Sequence, residues 1–444
     1  MMVKYKIAVA SLGCAKNLVD TENMLGFLAQ KGYEFVSLPE MADIIIINTC
    51  AFIGDAKEES INTILDMARY KDEGNCKLLV VTGCLAERYH EDIKLELPEV
   101  DAICGTGDFV KICDIIERSL CGEKVCLYGH SEAFDLAAMP RILTNKKHSA
   151  YLKIAEGCDN KCTYCVIPSL RGKYRSRTIE DIVDEACELA KSGTKELILI
   201  AQDTTCYGKD IYGSYMLGKL LLRLCEIDEI KWIRIHYSYP EGITDELIDI
   251  ISSNEKILHY FDIPIQHIND NVLKRMGRKT SRAQIEQLIK KIRSKMSDAI
   301  IRTSLIVGFP GETRSDFCEL CDFISRARLD RVGVFTYSKE ENTPASKLDK
   351  QVDERTKNRR KDKLMAIAQE ISLEKNEERV GNVLTVICDG FDEENCLYIG
   401  RSCGDSIDVD SMVYFGAARE VACGEFVKVR VLCAQEYDLI GEEI

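Results

Sequence analysis

Apolar and polar positions set three successive rhythms along the chain. Over the first 120 residues, short apolar runs at 5–11, Asp43–Asn48, Leu78–Gly83 and 100–103 alternate with helical patterns at 18–31, 55–70, 85–96 and 108–120. Buried strands separated by amphipathic helices predict a parallel sheet, because each parallel pair needs a crossover that a helix supplies. Residues 1–122 therefore read as a doubly wound parallel sheet. Residues 123–148, with Met139–Pro140 and the basic stretch Asn145–Lys147, read as a linker.

The alternation restarts at Tyr151. Strand-like runs at 151–155, Leu197–Ala201, Trp232–His236, Phe261–Ile265, Ile301–Val307 and Val332–Phe335 are separated by helical segments. The first of those helices starts at Thr178, with Asp181 three residues on, places apolar residues at 179, 182, 183, 186 and 190, and stops at Gly193. Six such units over 149–379 predict an incomplete TIM-like (β/α)6 barrel, closed by a charged helix at about 353–378 that carries Arg359, Arg360, Lys361 and Lys363 on a solvated face. From 380 to 444 the pattern shortens to runs such as Val383–Cys388 and Phe426–Cys433 between Asp-Gly and Cys-Gly-Asp turns, which predicts a small antiparallel β-barrel.

Composition narrows the function. With 46% hydrophobic and 30% charged residues and no long apolar run at the N-terminus, the 444-residue chain reads as globular and cytoplasmic, with no membrane partner. Twenty-one cysteines in a reducing compartment point to metal or redox chemistry rather than a disulfide framework. The net charge of −14 argues against a protein that works by holding nucleic acid phosphates.

Cys158, Cys162 and Cys165 form a Cys-x3-Cys-x2-Cys loop just past the first strand of the predicted barrel, at the mouth where barrel enzymes keep their chemistry. Three thiolates suit a 4Fe-4S cluster with one iron left open to chelate a small molecule. Zinc competes, but it normally wants a fourth Cys or His, and the nearest upstream His is His148. With Tyr164 before the third cysteine, the loop resembles the radical S-adenosylmethionine (SAM) superfamily. That resemblance implies a SAM-derived 5'-deoxyadenosyl radical that takes a hydrogen atom from an unactivated C–H bond. It also implies SAM contacts at Tyr164, at Gln202 beside Asp203, and at Gly308 within Ser304–Thr313, the last of which by itself reads as a turn.

Cys14, Cys50 and Cys84 each follow a predicted strand of the first domain. Ligands bind doubly wound sheets along that edge, so the three could meet there around a second cluster, or each could be a small buried apolar residue. The stretches Ser11–Glu22, Asn48–Cys50 and Thr82–Cys84 resemble the N-terminal domain of methylthiotransferases, and the last 65 residues resemble a TRAM barrel. Ser11–Asn17, Gly157–Cys162 and Asp262–His267 are most similar to the RimO methylthiotransferases, with tRNA adenosine methylthiotransferases as the alternative.

The RimO resemblance implies addition of a methylthio group to the β-carbon of an aspartate in small-subunit ribosomal protein number twelve. It implies two 4Fe-4S clusters, one on Cys158, Cys162 and Cys165 and an auxiliary one on Cys14, Cys50 and Cys84, together with SAM, an electron donor and a sulfur source. It adds no catalytic residue beyond the cluster ligands. Residues 380–444 carry 13 acids against 4 basic residues, which suits a basic protein partner better than a polyanion.

Overall fold

The computed structural model describes residues 5–130, 139–144 and 146–444; residues 131–138 and Asn145 of the expected linker lie outside the described residues. Strands β1 (Lys6–Ser11), β2 (Glu34–Phe35), β3 (Ile44–Thr49), β4 (Leu78–Gly83), β5 (Ala102–Cys104) and β6 (Val125–Leu127) form one parallel sheet in the order β2-β1-β3-β4-β5-β6. The strand β6 falls inside the stretch read from sequence as a linker. Ile44, Ile45, Ile46 and Ile47 of β3 are all at most 1% exposed, because helices cover both faces of the sheet. Burying each such side chain contributes about 1.5–3 kcal/mol. The chain runs outward from β1 to β2 and then returns to β3. The crevice between the ends of β1 and β3 is therefore the switch point of a doubly wound sheet.

The second unit begins with β7 (Ser149–Lys153) and a short antiparallel pair, β8 (Ala155–Glu156) and β9 (Arg175–Ser176). β10 (Glu196–Ile200), β11 (Trp232–Ile235), β12 (Ile257–Asp262), β13 (Ile300–Val307) and β14 (Arg331–Thr336) follow β7 in spatial order as well as in sequence. The six strands form an open parallel sheet, a barrel lacking its closing strands. Its helices cover one face, where Leu197 and Leu199 of β10 are buried. Ile198 and Ile200 point the other way, into a cluster with Tyr151, Val19 and Ile407, so the inner face is covered by residues from both other domains. Among the described residues no helix is long and apolar enough to cross a membrane.

β15 (Val383–Asp392), β16 (Leu397–Ser402), β17 (Val413–Gly416), β18 (Phe426–Ala434) and β19 (Leu439–Glu443) make a closed barrel, with β17 and β19 parallel and the other pairings antiparallel. The segment from Arg401 to Asp410 enters the open side of the six-stranded sheet. Tyr151 donates to Ile407 O at 3.1 Å and Tyr260 to Asp410 at 2.5 Å; Arg331 pairs with Asp405 at 2.7 Å, and His236 Nε2 lies 2.8 Å from Ser406 Oγ. Arg401, fully buried, joins Asp389 and Glu196 at 2.7 Å each, while Arg234 holds the other oxygen of Glu196 at 3.0 Å. Thus Asp389, Asp405 and Asp410, counted from sequence as part of an acidic outer surface, are internal partners of arginines. The remaining acids of the barrel still outnumber its three other basic residues.

Arg401→Ala strands Glu196 and Asp389 in the interior with part of their partners gone. The expected loss is about 3–5 kcal/mol, the range for breaking a buried pair from one side. Urea unfolding followed by far-UV circular dichroism checks this, with Arg419→Ala on the surface as a control that stays near the parent midpoint.

Candidate functional site

Cys14, Cys50 and Cys84 each lie just beyond the carboxyl end of a strand, β1, β3 and β4 respectively, on one edge of the first sheet. Two glycines make their approach possible. A Cβ on Gly13 would sit 2.7 Å from Cys50 Cβ and 2.9 Å from its sulfur; one on Gly83 would sit 2.3 Å from Asn48 Oδ1. Both glycines have φ near +90°, a region costly for other residues. Asn17, fully buried, ties the three loops together by donating to Leu12 O and Thr49 O at 2.9 Å each, with its Oδ1 3.9 Å from Cys84 Sγ. Burial pushes the Cys84 thiol up to about 12 and raises that of Cys50, in spite of the Arg171 charge nearby.

The second triad occupies the loop between β8 and β9. Cys158 N donates to Gly172 O within the loop, Thr163 N to Met276 O, and Asn160 to Asp203 at 2.8 Å, so the loop is closed on itself and pinned to two neighbouring segments. Its sulfurs also receive donors: Ile167 N lies 3.4 Å from Cys165 Sγ, and Arg278 Nη1 lies 3.9 Å from Cys162 Sγ. Burial raises Cys158 to about 11 and Cys165 to about 12. All 21 cysteines are free thiols.

A bound metal displaces the proton of a cysteine ligand, so thiols raised by burial can still serve as ligands. Among the described residues no group of three His, Cys, Asp or Glu side chains is gathered as a site for one metal ion. Each triad of thiols is a donor set that could hold a 4Fe-4S cube with one iron left open.

A charged knot joins the triads. Arg171, six residues past Cys165, sends Nη1 to Asp20 at 2.7 Å and to Glu156 at 3.1 Å, and Nη2 to Asn17 and to Cys84 Sγ at 3.8 Å. Lys153 bridges the same carboxylates, 2.5 Å from Asp20 and 2.9 Å from Glu156. Burial alone would raise the Glu156 carboxyl, but Arg171 and Lys153 outweigh it and hold that carboxyl far below the usual range.

Gln202 hangs on this knot, its Nε2 2.5 Å from Glu156, and leaves its buried Oε1 without a partner. Asp203, expected beside it as a SAM contact, is occupied by Asn160, Thr205 and Cys206. Tyr164 packs edge-on to Phe309 at 6.5 Å, which places it beside the turn at Gly308. The Gly308 amide donates to Glu312, whose carboxyl burial raises to about 7 despite Arg360 at 3.2 Å. The sequence reading did not single out Asp20, Lys153, Glu156 or Arg171. Glu156 and Arg171 flank the cysteine loop, but only the fold brings Asp20 to them.

Three domain families match: the uncharacterized protein family UPF0004 at residues 6–105, the radical SAM superfamily at 152–324 and the TRAM domain at 380–444. Among solved structures, the radical SAM methyltransferase TsrM from Kitasatospora setae, with cobalamin and a 4Fe-4S cluster bound, superposes with a TM-score of 0.57. It is 13% identical and covers 87% of this chain and 82% of its own, a likeness of fold alone. Ribosomal protein uS12 methylthiotransferase RimO from Clostridioides difficile (strain 630) is 51% identical over 98% of both chains. The protein of the same name from Thermoanaerobacter sp. (strain X514) is 49% identical over 98% of this chain and 99% of its own. Identity at this level over nearly the whole length shows that the chain belongs to the RimO family of radical SAM methylthiotransferases.

Proposed function

We propose that the chain adds a methylthio group to the β-carbon of an aspartate of ribosomal protein uS12, with Cys158, Cys162 and Cys165 holding the radical cluster and Cys14, Cys50 and Cys84 an auxiliary one. The observation that carries the reading is the direct reach of Arg171 from the radical-cluster loop to the Cys84 sulfur, which ties both triads to one interdomain site. When bound, the clusters and SAM supply a carbon radical and the sulfur that meets it. The chain's task is proximity, since a substrate radical must find sulfur before any other partner. Gln202 offers its unpartnered Oε1 to the SAM ammonium, and Glu156 holds the opposite side of that amide. Tyr164 and the turn at Gly308 complete the SAM cradle. An electron donor and a sulfur source are required from outside.

Anaerobically reconstituted protein is expected to bind about eight irons, two clusters of four. Alanine at Cys158, Cys162 and Cys165 leaves about half the iron and abolishes SAM cleavage. Alanine at Cys14, Cys50 and Cys84 also halves the iron but spares cleavage while methylthiolation is lost; methylthiolated product from this second variant rules out the auxiliary assignment.

Mass spectrometry of uS12 and of tRNA after incubation with enzyme, SAM, reductant and sulfide tests the substrate. A methylthio mass increment on uS12 with unchanged tRNA is expected. The reverse result transfers the chemistry to an adenosine.

A further inference from the structure

Lys16 is the second residue of helix α1 (Ala15–Gln30), two positions after Cys14. The residue is only 7% exposed, and among the described residues its ammonium makes no ion pair or hydrogen bond; it stands over the face of the Tyr237 ring, 3.2 Å from the centroid. Its stem is buried while its tip still reaches solvent. It lacks an ion-pairing carboxylate among the described residues, and it stands at the helix end where the backbone dipole is already positive. No acidic residue occupies the first turn to offset it.

The carboxylates around it are committed. Asp20, one turn along α1, is held by Lys153 and Arg171, and Asp262 is held by Arg302 at 2.8 Å and by the Tyr237 amide at 3.0 Å. Tyr237 adopts φ +57°, a conformation unfavourable for an aromatic residue, just past the end of β11 at the mouth of the sheet. A strained aromatic beneath an unpaired ammonium that reaches solvent, beside Cys14 and at the mouth of the radical SAM sheet, is a half-built anion site. We propose that Lys16 receives the side-chain carboxylate of the substrate aspartate and so orients its β-carbon. This rests on the function proposed above and names the group that recognises the substrate there. The ring face leaves the ammonium's other N–H directions open, enough for a carboxylate to accept in their place.

SAM also carries a carboxylate, so the experiment separates the two sources. The full chain, reconstituted anaerobically, is titrated with uS12 bearing Asp or Asn at the modified position, and separately with SAM, for the parent, Lys16→Met and Lys16→Arg. The parent is expected to bind the Asp form about tenfold or more tightly than the Asn form, the worth of one charge-assisted hydrogen bond. Lys16→Met should erase that preference, Lys16→Arg should retain most of it, and SAM affinity should not follow the loss. If Lys16→Met does not fold, Lys16→Gln replaces it in the titrations. A preference that survives loss of the charge overturns the proposal, as does a variant that loses SAM while keeping the preference. Absence of any methylthiolation of uS12 by the parent defeats the substrate reading itself, whereas methylthiolation with no Asp-over-Asn preference defeats only the role of Lys16.

Discussion

Asp20, Lys153, Glu156 and Arg171 form a buried group of two carboxylates and two cations in which each carboxylate touches both cations. Withdrawing four charges from water is expensive, and well-packed apolar residues of similar volume would commonly give equal or better stability. What the knot supplies is position. Asp20 belongs to α1 of the first domain, Lys153 to β7 and Glu156 to β8, and Arg171 follows the cysteine loop. A shift of one domain against the other breaks several of these contacts at once and leaves charges unpaired. The interface therefore has one low-energy register, and that register brings Asn17, Cys84 and Gln202 to opposite sides of the same guanidinium and carboxylate.

The C-terminal barrel completes the arrangement from beneath. Six parallel strands do not close on themselves, so the inner face of their sheet would otherwise expose Tyr151, Ile198, Arg234 and Tyr260. The segment from Arg401 to Asp410 covers that face with matched partners, an acid or carbonyl for each inward arginine or hydroxyl. A domain of this type can thus serve as a wall of the catalytic domain, and its buried acids lie on its inner side for that reason.

The strand rhythm was legible because parallel strands covered on both faces become continuous apolar runs, as in Ile44–Ile47, and because glycines and cysteines mark their ends. Cys158, Cys162 and Cys165 stood out as candidates by their Cys-x3-Cys-x2-Cys spacing, and Cys14, Cys50 and Cys84 by their places past strand ends that the apolar pattern already marks. β6 was not, since Val125–Leu127 is too short to show a period and follows a Gly-Glu-Lys turn that suits a connector equally well. Nor could local pattern join Asp20 to Arg171, 151 residues apart, or distinguish barrel acids facing solvent from Asp389 and Asp405 facing arginines. Lys16 sat beside a candidate ligand, yet on an amphipathic helix a lysine ordinarily marks the wet face; only the packing of α1 against β7 and Tyr237 reverses that expectation.

The chain carries a net charge of −14, yet the interior around β11 is cationic. Burial, joined by the charges of Arg302, Arg234 and Lys16 against the opposing pull of Asp262, depresses the His236 imidazole to about 3, so it is neutral at physiological pH. A neutral histidine can accept or share a proton with Ser406 without adding to the positive field, while the two arginines are matched by Asp262, Asp410 and Glu196. Lys16, in contrast, has no ion pair among the described residues. An acidic exterior draws a basic protein at long range and is weakened by salt, whereas a single cation in the proposed site acts on an anionic side chain only at contact. The two act at different distances: the acidic exterior favours the approach of a basic protein over that of a polyanion, and Lys16 acts only on the anionic group that reaches it.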